Sequence, residues 1–149
     1  MCPEALTKTL MMPATDPIHD AVKNALVKDG WVITADPYGI QYDDLNLYAD
    51  LAAERTLLSE RGLERIVVEI KSFTGRSPAQ DLKIAVGQFV LYREFLRETA
   101  PDHRLYLAID SDVHQKLFTR KAIELIQQRL AMSIIVVDLE REEIIQWIS

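Results

Sequence analysis

The chain has 149 residues, 48% of them hydrophobic, and a formal charge of −6 at pH 7. This length suits one domain with an ordinary buried core, and no apolar run approaches the roughly 20 residues that a membrane-spanning helix needs. The negative charge argues against extensive non-specific binding to nucleic acid, because phosphate neutralisation by Lys and Arg supplies most of that affinity. Any contact with DNA is therefore expected to be weak, local or assisted by a partner.

The first residues show neither a targeting signal nor a structural pattern. Met1-Cys2-Pro3-Glu4 lacks the basic and apolar regions of a secretion signal. Cys2 is the single cysteine of the sequence, which excludes an internal disulfide and a cysteine-rich zinc site. Residues 1–11 are interpreted as a leader, because the periodic pattern begins only after a second possible start at Met11-Met12-Pro13. We expect residues 12–149 to form the domain and the protein to be cytoplasmic.

The first predicted elements are a helix and a short strand. Asp16-Pro17 provides an N-cap residue followed by proline at the first helical position. Apolar residues then follow at helical spacing, and Asp29-Gly30 ends the helix. Trp31 to Thr34 is predicted to be a strand, closed by a turn at residues 36–39.

Two longer strands are predicted next, joined as a hairpin. Leu47 to Leu58 folds back through residues 59–62 into Arg65 to Phe73, which is β-branched and apolar at its centre. Side chains alternate along a strand, so Glu69 and Lys71 are expected to project from the same face. The hairpin should also bring Asp50 to the same end of the sheet.

The rest of the chain alternates helices and strands. An amphipathic helix is predicted from Pro78 to Glu98, with Ser77 as its cap. It is followed by the strand 104–109, a second helix from Val113 to Leu130, and the strands 133–139 and 143–148. A hairpin followed by helix, strand, helix and strand implies one α/β domain with a mixed sheet and helices on its faces.

Asp50, Glu69 and Lys71 are the candidate catalytic group. A strand that buries two charges among Val and Ile loses several kcal/mol of hydration free energy unless something compensates. Two carboxylates and one ammonium leave a local charge of −1, and Mg²⁺ accepts carboxylate and carbonyl oxygens while keeping several waters. The carbonyl of Ile70 is the expected third protein ligand. The alternative is a Glu69–Lys71 ion pair on the surface of an edge strand.

Other polar residues have more than one interpretation. His19 could contact a phosphate or act on water, or could be structural, while Asp20 is a candidate for a further acidic ligand on the first helix. Arg76 and Lys83 lie close to the expected site in sequence, where they could contact DNA phosphates. A later cationic cluster, Lys116, Arg120 and Lys121, is interpreted as a solvated helix face.

Two resemblances sharpen these expectations. Asp50 followed by Glu69-Ile70-Lys71, within this order of elements, resembles the PD-(D/E)XK superfamily of restriction-endonuclease-like nucleases, although Ala49 replaces the proline of the motif. Four blocks resemble the XisH family, which is named for control of fdxN element excision by site-specific recombination: residues 23–31, 47–51, 68–73 and 85–89.

The resemblance implies a restriction-endonuclease-like fold and a metal site at Asp50, Glu69 and Lys71, with Gln88 near the lysine. It also implies a role in DNA excision beside a recombinase and an XisI-like protein. We therefore expect Mg²⁺-dependent hydrolysis of DNA phosphodiester bonds, with weak DNA binding by the chain alone and a homodimer as the assembly. The alternative is a non-catalytic regulatory protein on the same scaffold.

Overall fold

The computed structural model describes residues 16–57 and 62–149, so the proposed leader and most of the predicted hairpin turn lie outside the described residues. The helices are α1 (Pro17–Lys28), α2 (Pro78–Thr99), α3 (Ser111–Val113), a π-helix (His114–Phe118) and α4 (Lys121–Arg129). The strands are β1 (Val32–Ala35), β2 (Tyr38–Tyr42), β3 (Leu45–Ala49), β4 (Leu51–Leu57), β5 (Gly62–Ile70), β6 (His103–Asp110), β7 (Ile134–Asp138) and β8 (Glu143–Ile148). None of these helices is long and apolar enough to cross a membrane.

Six strands form one mixed sheet in the order β1-β4-β5-β6-β7-β8, and β2 and β3 pair as a separate hairpin. β5, β6 and β7 are parallel neighbours, whereas β1, β4 and β8 join the sheet in antiparallel pairs. The prediction of a single α/β domain with a mixed sheet and flanking helices is confirmed.

Helix ends follow the predicted caps. The Asp16 carboxylate accepts a hydrogen bond from the Ile18 amide at 3.1 Å, and the Ser77 hydroxyl accepts one from the Gln80 amide at 3.2 Å. Each cap satisfies an amide that has no partner within the first turn of its helix. The predicted starts of α1 and α2 are therefore confirmed.

Each face of the sheet has its own core. Along β5, Ile66 and Val68 pack in the cluster that includes Leu26 of α1, while Val67 packs in the cluster that includes Phe89 of α2. This alternation is the period of two that a strand imposes on its side chains. It places Glu69, two residues after Val67, on the α2 face.

The predicted strand from Leu47 to Leu58 is wrong at Asp50, where the chain passes from β3 to β4. β3 pairs with β2 rather than with β5, and residues 43–44 join these two strands in a two-residue connection that we did not predict. Asp43 adopts a φ of +55°, a conformation that Asp tolerates better than most residues. This hairpin moves Asp50 out of any strand and into the bend between the two sheets.

The predicted helix from Val113 to Leu130 is also wrong, because α3, the π-helix and α4 are separate segments. Leu117 and Phe118 are consecutive and both buried, and they lie at the end of the wider π turn. The Thr119 hydroxyl donates to the Gln115 carbonyl at 2.7 Å, and Arg120 is extended, with φ −71° and ψ 137°. A separate helix, α4, therefore begins at Lys121.

The predicted strand from Arg65 to Phe73 ends earlier, at Ile70. The Lys71 amide still donates to the Ala108 carbonyl at 3.1 Å, which continues the contact with β6 for one residue. Phe73 has a φ of +56°, which no strand residue adopts. Lys71 therefore lies in the segment that leaves the sheet, immediately beyond β5.

Candidate functional site

Asp50 and Glu69 are brought together by the register of β4 and β5. Leu51 pairs with Val68 in this antiparallel ladder. Asp50, the residue before Leu51, therefore lies beside Glu69, the residue after Val68. The Asp50 carboxylate accepts a hydrogen bond from the Ile70 amide at 2.7 Å, which fixes Asp50 at the end of β5. β5 lies between β4 and β6, so the alternative of an ion pair on an edge strand is wrong.

The two carboxyl groups have strongly perturbed pKa values. Glu69 is only 8% exposed, and burial together with the neighbouring Asp50 charge raises its pKa to about 8, although the Lys71 ammonium lowers it in part. Burial also raises the pKa of Asp50, against the lowering effects of the Ile70 amide and of His19. A hydrogen bond between the carboxyl groups lowers the pKa of Asp50 and raises that of Glu69.

Gln88 lies on the buried stripe of α2, between Ala85 and Tyr92 at helical spacing. Its side-chain oxygen is buried and has no hydrogen-bond partner among the described residues. Tyr92, one turn later, lies close enough to Glu69 and Asp50 for their charges to raise its pKa, in addition to the larger effect of burial. The α2 face thus places the Tyr92 hydroxyl beside the carboxyl pair, and a role of Gln88 at the site stays a prediction.

His19 faces the site from α1, on the opposite side from α2. Its Nδ1 lies 3.9 Å from Oδ1 of Asp50, and its Nε2 lies 2.9 Å from Oδ1 of Asp36. The Lys23 ammonium forms an ion pair with the other Asp36 oxygen at 2.9 Å. The helical residue that faces Asp50 is therefore His19, whereas Asp20, the candidate acidic ligand, is exposed.

Arg76 and Lys83 are both exposed, Arg76 in the segment after β5 and Lys83 in α2. Neither forms an ion pair with another described residue. The turn before α2 is ordered by Asp81, whose carboxylate accepts from the Gly75 amide at 2.9 Å. Both cations are free to contact an external phosphate, and their assignment to DNA stays a prediction.

The donor set fits a hard cation that keeps most of its waters. No group of three or more His, Cys, Asp and Glu side chains that could hold a metal ion occurs among the described residues. Oε1 of Glu69 is buried without a hydrogen-bond partner in this part of the chain. A divalent ion at the two carboxylates would satisfy that oxygen, and Mg²⁺ commonly uses one or two carboxylates plus water. Ligation by the Ile70 carbonyl stays a prediction.

Comparisons with known proteins identify the family. Residues 12–145 match the family model described as XisH protein. The chain belongs to the XisH family. The crystal structure of an XisH family protein from Nostoc punctiforme is 38% identical, with a TM-score of 0.82 over 90% of this chain and 100% of that one. An fdxN element excision controlling factor protein from Anabaena variabilis is also 38% identical, with a TM-score of 0.82 over 91% of this chain and 100% of that one. A comparison with curated proteins found no significant match.

Two residues that position the site of this XisH-family chain were not predicted from its sequence. Asp36 orients His19, and only the pairing of β1 with β4 brings it near Asp50. Tyr92 lies among the buried residues of α2, and its hydroxyl donates to the Tyr48 carbonyl at 3.2 Å. That bond connects α2 to the segment that leads into Asp50.

Tyr92→Phe should lower the free energy of unfolding by about 1 kcal/mol, because it removes one largely buried hydrogen bond while keeping the ring. Urea unfolding would measure the change. Tyr42→Phe is the matched control, since Tyr42 is half exposed, stacks on Phe95 through its ring and makes no side-chain hydrogen bond to a described residue. Equal stability of the Tyr92 variant and the unchanged protein would contradict this assignment.

Proposed function

We propose that this XisH-family protein hydrolyses DNA phosphodiester bonds with Mg²⁺, in the control of excision of a DNA element. The main support is the pair formed by buried Glu69 and partly buried Asp50, with Lys71 close enough to lower the pKa of Glu69 and one Glu69 oxygen without a partner among the described residues. Groups with perturbed pKa values that cluster around specific charges are frequent at functional sites. The similarity to the Anabaena variabilis protein, an fdxN element excision controlling factor, supports the biological context.

Each residue has a distinct role in this proposal. Asp50, Glu69 and the Ile70 carbonyl would hold the ion, which would supply a water of lowered pKa and polarise a phosphoryl oxygen. Lys71 orients the attacking water, and Gln88 accepts a hydrogen bond from that water or from Lys71. His19, held by Asp36, donates to a phosphate oxygen on the α1 side of the site.

Cleavage of plasmid or linear DNA tests the proposal directly. Mg²⁺ should support nicking or cutting, and Lys71→Ala should reduce the rate by about 10²–10⁴, the range typical of a group that positions or transfers a proton. Lys28→Ala is the matched control, because Lys28 lies at the end of α1 and bonds the Arg141 carbonyl. No cleavage by the unchanged protein with Mg²⁺ or Mn²⁺, or full activity of Lys71→Ala, would overturn the catalytic proposal.

A second candidate is a non-catalytic regulatory protein on this scaffold, acting with a recombinase or an XisI-like partner. The formal charge of −6 favours it, because an acidic chain attracts few phosphates. The raised pKa of Glu69 also favours it, because a carboxyl group that resists losing its proton is a weaker ligand for a cation. Absence of cleavage together with retained binding to an XisI-like protein would support this second function.

Assembly and location complete the proposal. We infer a cytoplasmic homodimer or a complex with an XisI-like protein, either of which could extend the area that contacts DNA. Exposed apolar residues suited to such a contact are Leu91 on α2 and Ile145 on β8. Trp147 on β8 is half-buried, because it packs against Trp31 and Tyr106. Light scattering at micromolar protein would distinguish these assemblies from a monomer.

A further inference from the structure

The cations of the described residues fall into two groups. Several are neutralised by carboxylates, such as Lys23 by Asp36, Arg55 by Glu64 and Arg65 by Asp102, each within 3.1 Å. The others form no ion pair with another described residue, and four of them are exposed in the two segments that follow β5 and β6: Arg76, Lys116, Arg120 and Lys121. We call these four residues the basic rim. They stand out in a chain whose formal charge is −6.

The fold brings the two parts of the basic rim to the same edge of the sheet as the carboxyl pair. β5 and β6 are parallel neighbours, with Ile70 beside Ala108, so the segments that follow them leave the sheet at one edge. These segments touch, because the rings of Phe73 and Phe118 meet edge-to-face with centroids 5.6 Å apart. Phe73 is two residues beyond Lys71, and Phe118 is two residues before Arg120.

The interrupted helix determines which side chains of this region face water. The π-helix buries Leu117 and Phe118 and leaves Lys116 exposed. The extended backbone at Arg120 then restarts the helix, so Arg120 and Lys121 are exposed at the first turn of α4. These three cations are solvated, as expected, but the expectation that they share one helix is wrong.

We propose that the basic rim binds the phosphate backbone of duplex DNA and so holds the duplex across the Asp50–Glu69 pair. The choice of DNA as the ligand rests on the proposed function. Lys and Arg side chains without a carboxylate partner can bind phosphates without first breaking an ion pair. Four such cations make a small number of phosphate contacts, so the binding is weak and sensitive to salt.

Binding of a fluorescein-labelled duplex of mixed sequence, measured by anisotropy in EDTA over a range of salt concentrations, tests the basic rim without cleavage. The double variant Arg120→Gln/Lys121→Gln should weaken binding about tenfold and reduce the salt slope by about 2, one for each lost phosphate contact. Glu124→Gln should tighten binding, because Glu124 is an exposed carboxylate in the first turn of α4.

The matched control is Arg104→Gln/Arg129→Gln, which removes the same charge at the start of β6 and the end of α4, at the opposite edge of the sheet. Equal weakening by both double variants, or no change in either, would overturn the basic rim. Rim-dependent binding without Mg²⁺-dependent cleavage supports the rim and overturns the catalytic proposal. Cleavage that both double variants retain in full, with unchanged binding, would overturn the rim alone.

Discussion

Glu69→Gln should make the metal-free protein more stable than the unchanged protein at pH 8 and above. The unfolded pKa of this carboxyl is about 4.5 and the folded pKa is about 8, so the folded state binds more protons between these values. Stability therefore falls as the pH rises from about 4.5 to 8, and the loss is complete only above pH 8. For a shift of this size the expected loss is roughly 3–5 kcal/mol. Glutamine removes it, because its amide stays neutral and can donate to Asp50 as protonated Glu69 does.

Urea unfolding in EDTA at several pH values between 5 and 9 would measure this effect. The matched control is Glu143→Gln, which makes the same change on β8 at an exposed position with no ion pair to another described residue. The difference between Glu69→Gln and the unchanged protein should grow with pH, while the control difference stays flat. A Glu69→Gln variant that is less stable at pH 8 would contradict the burial and charge assigned to this site.

The sequence predicted most of the fold because its signals are local. Asp16-Pro17 and Ser77-Pro78 mark helix starts through caps that need only a neighbouring amide. The centre of β5 is a continuous apolar run, which predicts a strand buried on both faces. In the structure α1 covers one face and α2 covers the other. The alternation along β5 places Glu69 on the α2 face, and the register of β4 and β5 brings Asp50 beside it, whereas Lys71 lies beyond the end of the strand.

The errors arise where tertiary contacts decide the local conformation. The segment from Val113 to Leu130 has a helical pattern throughout, but packing of Phe118 against Phe73 and an extended Arg120 divide it. Asp50 lies in a run of strand-forming residues, yet the chain bends there and the Asp50 carboxylate accepts a hydrogen bond from the Ile70 amide. Asp36 could not be assigned to the site, because nothing in its local sequence indicates that β1 carries it to His19.

Mg²⁺ or Mn²⁺ should raise the melting temperature of the protein, and Asp50→Asn should abolish that increase. A ligand that binds only the folded state stabilises it by about 2.7 kcal/mol at 100 times its Kd, which corresponds to several degrees for a chain of this size. The increase should be larger at pH 8 than at pH 6, because Asp50 and Glu69 must lose their shared proton to bind the ion.

The dependence on pH separates a metal at this site from general ionic effects. Without divalent ions the protein should lose stability as the pH rises, whereas with them part of that loss is reversed. Asp43→Asn is the matched control, because Asp43 lies exposed at the tip of the β2–β3 hairpin with a φ of +55°, which asparagine also adopts. Differential scanning fluorimetry with and without Mg²⁺ would measure all three proteins. If divalent ions leave the melting temperature unchanged at pH 8, or shift Asp50→Asn as much as Asp43→Asn, the carboxyl pair is not a metal site.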